Sequence, residues 1–315
     1  MHKQTFFATL LLLILAAGTL AQTMPSQSRD AEKDALYSAF SGNKRVSTAE
    51  KQRAAYDAAR EYLRRFREDK DPELPEVQKF VADYERVIAQ QLLLNAYKAK
   101  HYEDAFKLGR QILEREPESF FALGILSEVG LENAQAGKTT SNAETIDYLK
   151  RAIKLLDGNS VTQPNPFDSV EFARGFLNAG LGSLLKDQSP AEAAAAFLSA
   201  AKSESPFRTD PIIYHRLGVA ILKGEFAQVS AEYNQKFGNK EASPEQRAMM
   251  ERLQKLVERA LDAYARAVAL STAPKQEEAR AKILEQLTAL YKNFHNNSDA
   301  GLNELISTVL SKPMP

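Results

Sequence analysis

The 315-residue chain contains no cysteine and no tryptophan. Without cysteine there are no disulfides, no thiol catalysis and no thiolate metal sites, so stability rests on packing. Neither sign of charge is in surplus, since 41 Lys and Arg stand against 41 Asp and Glu. No broad basic field exists to hold a phosphate backbone, which argues against nucleic acid as a partner. Histidine is scarce: His2, His101, His215 and His295 lie far apart, without the paired spacing of a metal site. Gly137-Lys138-Thr139-Thr140 has the ending of a phosphate loop, but position 132 is Glu where that loop needs glycine. Paired acids such as Asp83/Glu85 and Glu277/Glu278 fit solvated helix faces. The basic cluster Arg64-Arg65-Phe66-Arg67 meets Glu68, Asp69 and Asp71 at once and reads as a helix end. The expectation is therefore a non-catalytic protein with no cofactor and no metal.

Long apolar runs are also lacking, with one exception. His2 and Lys3 precede an uncharged run from Phe6 to Ala17, followed by the small residues Gly18-Thr19-Leu20-Ala21. This is the layout of a secretory signal peptide cleaved after Ala21, and the run is short for a bilayer core of roughly 30 Å. Residues 1–21 are therefore read as a signal and 22–29 as a disordered linker. Cleavage leaves a net charge of −1 and no stable membrane anchor, and sends the chain to the periplasm or outside the cell.

What is present is helical periodicity, with no strand-like alternation to compete. Leu181 and Leu185 lie one turn apart, and Gly182 between them removes a side chain where a second backbone comes close. Ala194, Leu198 and Ala201 repeat small and large residues on the next segment, and Pro206 is expected to stop it. An upstream copy has Leu92, Leu93, Ala96 and Tyr97, then Tyr102, Ala105, Gly109 and Ile112, with Pro117 at its end. Another has Leu123, Leu126 and Gly130, then Leu149 and Ala152. Further on come Tyr214, Leu217, Gly218 and Ile221, then Ala260, Tyr264 and Ala267, and a weaker copy with Leu287, Tyr291 and Ala300. Uninterrupted copies repeat about every 34 residues, the length of a helix-turn-helix repeat.

Helix ends are marked as well. Ser47 with Glu50, Asp168 with Glu171, Ser189-Pro190, Asp210-Pro211 and Ser243-Pro244 are predicted starts. Insertions are expected near 134–143, 157–167 and 226–248.

On Leu181-Gly182…Ala194…Leu198…Ala201…Pro206 and Tyr102…Ala105…Pro117, the chain resembles the tetratricopeptide repeat family. The resemblance covers residues 30–312 loosely and departs from the family in its insertions and its lack of Trp. It implies an all-α fold, with antiparallel hairpins stacked into a right-handed solenoid whose first helices line a concave groove. The groove candidates are then Gln90, Leu94 and Lys98; Phe121 and Glu128; Phe176, Ser183 and Lys186; Ile212, His215, Val219 and Leu222; and Glu285 and Lys292. This mixture of aromatic, aliphatic and charged groups suits a peptide or a partner helix, so the expected role is a protein-interaction module or scaffold. The family's carboxylate clamp is not present whole. Two other readings stand beside this one: a subunit or assembly factor of an envelope complex using the convex face, and a hydrolase with its site in the 157–167 or 226–248 insertion.

Overall fold

The computed structural model describes residues 26–237 and 243–314, so the signal segment and residues 22–25 lie outside the described residues. Among the described residues there is no strand. In chain order the helices are α1 (Ser26–Asn43), α2 (Ala49–Phe66), α3 (Leu74–Lys98), α4 (Tyr102–Arg115), α5 (Phe120–Gln135), α6 (Asn142–Asp157) and α7 (Val170–Leu185). There follow α8 (Pro190–Lys202), α9 (Pro211–Ile221), α10 (Ala227–Lys236), α11 (Pro244–Leu270), α12 (Glu277–Phe294) and α13 (Leu302–Thr308). The all-helical class is as expected. No helix among the described residues is long and apolar enough to cross a membrane. The chain divides into two compact units, Met1–Val87 and Ile88–Pro315.

In the first unit α1, α2 and the start of α3 close over large side chains. Phe40, Tyr62, Phe66 and Val77 are buried, with Ala55 and Ala59 between them. Tyr56 stacks on Tyr84 with ring centroids 4.4 Å apart. Asp71, in the α2–α3 turn, joins all three helices. It pairs with Lys33 at 2.6 Å, accepts from the Tyr62 hydroxyl and accepts from the Glu73 backbone N–H at 3.1 Å. Burial alone would raise the Asp71 carboxyl, but hydrogen bonds with Glu73, Lys33 and Tyr62 outweigh it and hold the group below the usual carboxylate range.

In the second unit each helix from α4 to α9 packs on the next in sequence, and α9 packs on α11. Glycine sets the closest crossings. A Cβ on Gly182 of α7 would lie 2.8 Å from the Phe197 ring of α8, and one on Gly218 of α9 would lie 2.8 Å from the Tyr264 ring of α11. A Cβ on Gly130 of α5 would overlap Thr145 of α6. Around these crossings Leu181, Leu185, Ala194, Ala201, Leu217, Ala260, Tyr264, Ala267 and Ala105 are buried, as the small–large spacing requires.

Several expectations shift. Of Phe197 and Leu198, either of which could fill the gap beside the small residues, it is Phe197 that meets Gly182, while Leu198 is half-buried. Pro206 does not stop α8: that helix ends at Lys202, and Pro206 is the first residue of a 3-10 turn over Pro206–Thr209. Proline suits that place because its missing N–H is not needed in a first turn. The cap of α2 is Thr48, not Ser47, and that of α7 is Ser169, not Asp168, whose next neighbour reaches the Phe172 N–H at 3.0 Å. Residues 26–29 are helical rather than linker. Most of the 226–248 insertion is also helical. A π turn over Leu222–Phe226 carries α9 directly into α10, and α11 is 27 residues long. The π turn brings the backbone of Gly224 onto α8, where a Cβ would lie 2.6 Å from the Ala191 nitrogen. Ser243 and Gln246 form the expected capping box, and Asp210 caps α9 through the Ile212 N–H at 2.9 Å.

Candidate functional site

The candidate groove residues lie on α3, α5, α7, α9, the π turn and α12, except Lys186, which follows the last residue of α7. These helices are joined in one recurring register. The residue after Gly130, Leu131, meets α7 at the position two before Gly182: a Cβ on Gly180 would lie 2.5 Å from the Leu131 side chain. The residue after Gly182, Ser183, accepts from Arg216, two before Gly218, at 2.9 Å. Tyr97 of α3 donates to Glu132 of α5 at 3.1 Å, outside that register. Finally His215 of α9 shares a 2.8 Å hydrogen bond with Gln286 of α12. A second set of bridges joins the intervening helices: Arg110 of α4 to Glu144 of α6, and Lys150 of α6 to Glu192 of α8, each at 2.6 Å.

Within this layer the candidates divide by exposure. Lys98, Lys186, Ile212 and Glu285 are exposed, and Ile212 keeps 51% of its surface open, as do several other large apolar side chains to a similar degree. Gln90, Glu128, Ser183, His215 and Lys292 are half-buried. Leu94, Phe121, Phe176, Val219 and Leu222 are also half-buried and pack against the apolar core, so their first role is structural. Phe176 sits among Phe167, Phe172 and Phe207, with centroids 5.4–6.4 Å away. Lys292 pairs with Asp299 at 3.1 Å and ties α12 to the turn that follows.

Two places on this layer carry charge without an opposite partner. On α9 the outer stripe is Ile212, the adjacent pair His215 and Arg216, and Val219, one turn apart, with Lys223 following in the π turn. Its opposite face, Leu217, Gly218 and Ile221, is buried. Arg216 is exposed and its contact is with the Ser183 hydroxyl, not a carboxylate. On α5 the Glu128 carboxyl is raised above its ordinary value because burial penalises the charge; the Tyr97 hydroxyl opposes the shift and Glu132, one turn on, adds to it. Tyr97 and Tyr102 both donate to the Glu132 carboxylate.

Arg216 and Gln286 are the two contacts of the candidate residues that sequence reasoning missed. Arg216 was legible in principle, because it lies one turn after Ile212 and two residues before Gly218. Gln286 was not, since only the packing of α12 on its neighbours brings it to His215. Chemistry of a reactive kind finds no support in the grouping of side chains. No three His, Asp or Glu residues converge on a metal-sized space among the described residues. His295 stacks on Tyr291 at 3.8 Å and bonds to its carbonyl oxygen, closing a helix end. No family model, curated protein or solved structure matches the chain.

Proposed function

We propose that the unit from Ile88 onward is a tetratricopeptide-like stack that binds a protein segment on the layer formed by α3, α5, α7, α9 and α12. The supporting observation is the repeated register between alternate helices. One contact, from the residue after the crossing glycine to the residue two before the next, recurs from α5 to α7 and from α7 to α9. Helices related by one repeated step turn equivalent positions to the same side, and that side holds the open stripe Ile212, His215 and Arg216. Such a surface is preorganised by its bridging hydrogen bonds, which lowers the ordering cost of association. Ile212 supplies an apolar anchor and Arg216 a guanidinium with an unused edge, a pairing suited to a segment that carries an apolar side chain beside an acid. The N-terminal apolar run would send this module out of the cytoplasm. In this reading the protein is a binding module rather than an enzyme, and needs no cofactor.

Crosslinking in the native envelope, compared between wild type, Ile212→Asp and Arg216→Glu, tests the proposal. Both variants lie on exposed positions and are expected to keep the wild-type melting temperature. Loss of the same crosslinked partner from both supports the groove. Equal recovery of every partner from all three overturns it.

A further inference from the structure

A small gap between α8, α9 and α11 is closed on one side by the end of the described chain, at Met314. Arg266 of α11 is almost wholly buried, with 7% of its side chain exposed, and it is held in a fork by Asp262, Nε to Oδ1 at 2.6 Å and Nη2 to Oδ2 at 3.3 Å. Its Nη2 also donates to the backbone carbonyl of Lys312 at 2.8 Å, 46 residues along the chain. Two residues later Met314 packs against the apolar core and lines a small gap together with Leu198, Leu217, Ile221 and Ala263. Leu198 is half-buried beside that gap. Lys312 is extended, at φ −100° and ψ 148°, as a residue before proline prefers, and its charge acts on Asp262.

These contacts describe a recognition site. A buried guanidinium oriented by its own carboxylate grips a backbone carbonyl, which any extended peptide offers. The gap beyond it, lined by Leu198, Leu217, Ile221 and Ala263 with Arg259 and Asp262 beside them, suits an unbranched, adaptable side chain. Pro313 fixes one dihedral of the segment and so lowers the cost of ordering it. The hold is also local: Lys312 and Pro313 are exposed, and the grip consists of one backbone hydrogen bond and one apolar side chain. We propose that this cleft is a peptide-binding site occupied by the chain's own Lys312–Met314, and that it accepts a basic–Pro–Met segment from another molecule when the tail leaves. The site is independent of the α9 stripe, so either can fail without the other.

The probe is a fluorescein-labelled hexapeptide of sequence Leu-Ser-Lys-Pro-Met-Pro, read by anisotropy against the full chain. Met314→Asp removes the apolar plug and is expected to raise peptide affinity at least tenfold over wild type, where the tail competes. Met314→Ser opens the cleft more gently and is expected to do the same if the aspartate variant loses its helical circular dichroism. A peptide with serine in place of its methionine should bind at least fivefold more weakly. Adding Leu198→Ser to the opened chain should reduce binding similarly. Folded Met314 variants that bind the peptide no better than wild type overturn the proposal, as does equal affinity for the serine peptide.

Discussion

The two compact units solve the same problem, closing helices over a core, in opposite ways. The first unit fills the space with rings: Phe40, Tyr62 and Phe66 are the largest of its fully or nearly fully buried side chains, and one loop carboxylate, Asp71, joins its helices. Its helical glycine, Gly42, faces open space, with nothing within 4 Å of an added Cβ. The second unit closes the space instead. Gly130, Gly182 and Gly218 each let a side chain from the following layer rest on helix backbone. A ring-filled core is vulnerable to deletion and a glycine-closed crossing to addition, because close-packed interiors tolerate neither void nor excess.

That contrast can be broken most strongly in the first unit. Phe40→Ala removes a fully buried ring and is expected to cost about 4 kcal/mol, lowering the urea midpoint of the first unit's amides in hydrogen exchange while leaving those of α7 and α8 in place. In the second unit Gly182→Leu forces a branched side chain onto the Phe197 ring and is expected to cost about 3 kcal/mol, seen as a lower thermal midpoint. Gly42→Ala is its control and should not lower the midpoint at all, since the added methyl meets nothing. If Gly182→Leu behaves like Gly42→Ala, the close crossing of α7 and α8 is not what holds them.

Acid sharpens the comparison with a smaller effect of opposite sign in each unit. Asp71 has a folded pKa below its ordinary 3.8, so it contributes stability above that value and the contribution is lost as pH falls below it. Glu128 has a folded pKa above its ordinary 4.5, so it binds a proton more readily when folded. Its burial therefore destabilises the unit at neutral pH, and that penalty is relieved as pH falls through the raised value toward 4.5. Glu128→Gln should raise the melting temperature at pH 7.5 by a few degrees, and the gain should shrink by pH 5. Asp71→Asn should lower it at both. A Glu128→Gln gain that is constant across pH would show that the carboxyl is not the source.

The helices themselves were legible because their signals are local. The 3.6-residue spacing of Leu181 and Leu185, the proline-led starts at Asp210 and Ser243, and the small residues at 182, 194 and 201 each act within a turn or two of the chain. Caps were less secure: Thr48 and Ser169 won over Ser47 and Asp168 because neighbouring polar residues can all accept from the same first-turn N–H groups, and backbone geometry chooses among them. The insertion at 226–248 reads in the sequence only as an interruption of the repeat. The π turn over Leu222–Phe226, which leads into α10, adds a residue to one helical turn, which no count of periods detects.

The candidate site divides along the same line. Sequence by itself determined that the protein is helical, that small residues mark its crossings, and that Ser183, Ile212 and His215 lie on helices. Tertiary structure decided which of these meet. Arg216 reaches Ser183, His215 reaches Gln286 across 71 residues, and Arg266 takes the carbonyl of Lys312 across 46. A helix repeats its own pattern through short-range hydrogen bonds and sterics, so local sequence suffices to write it. A contact between helices depends on their separation and rotation together, and those are set only when the whole core packs.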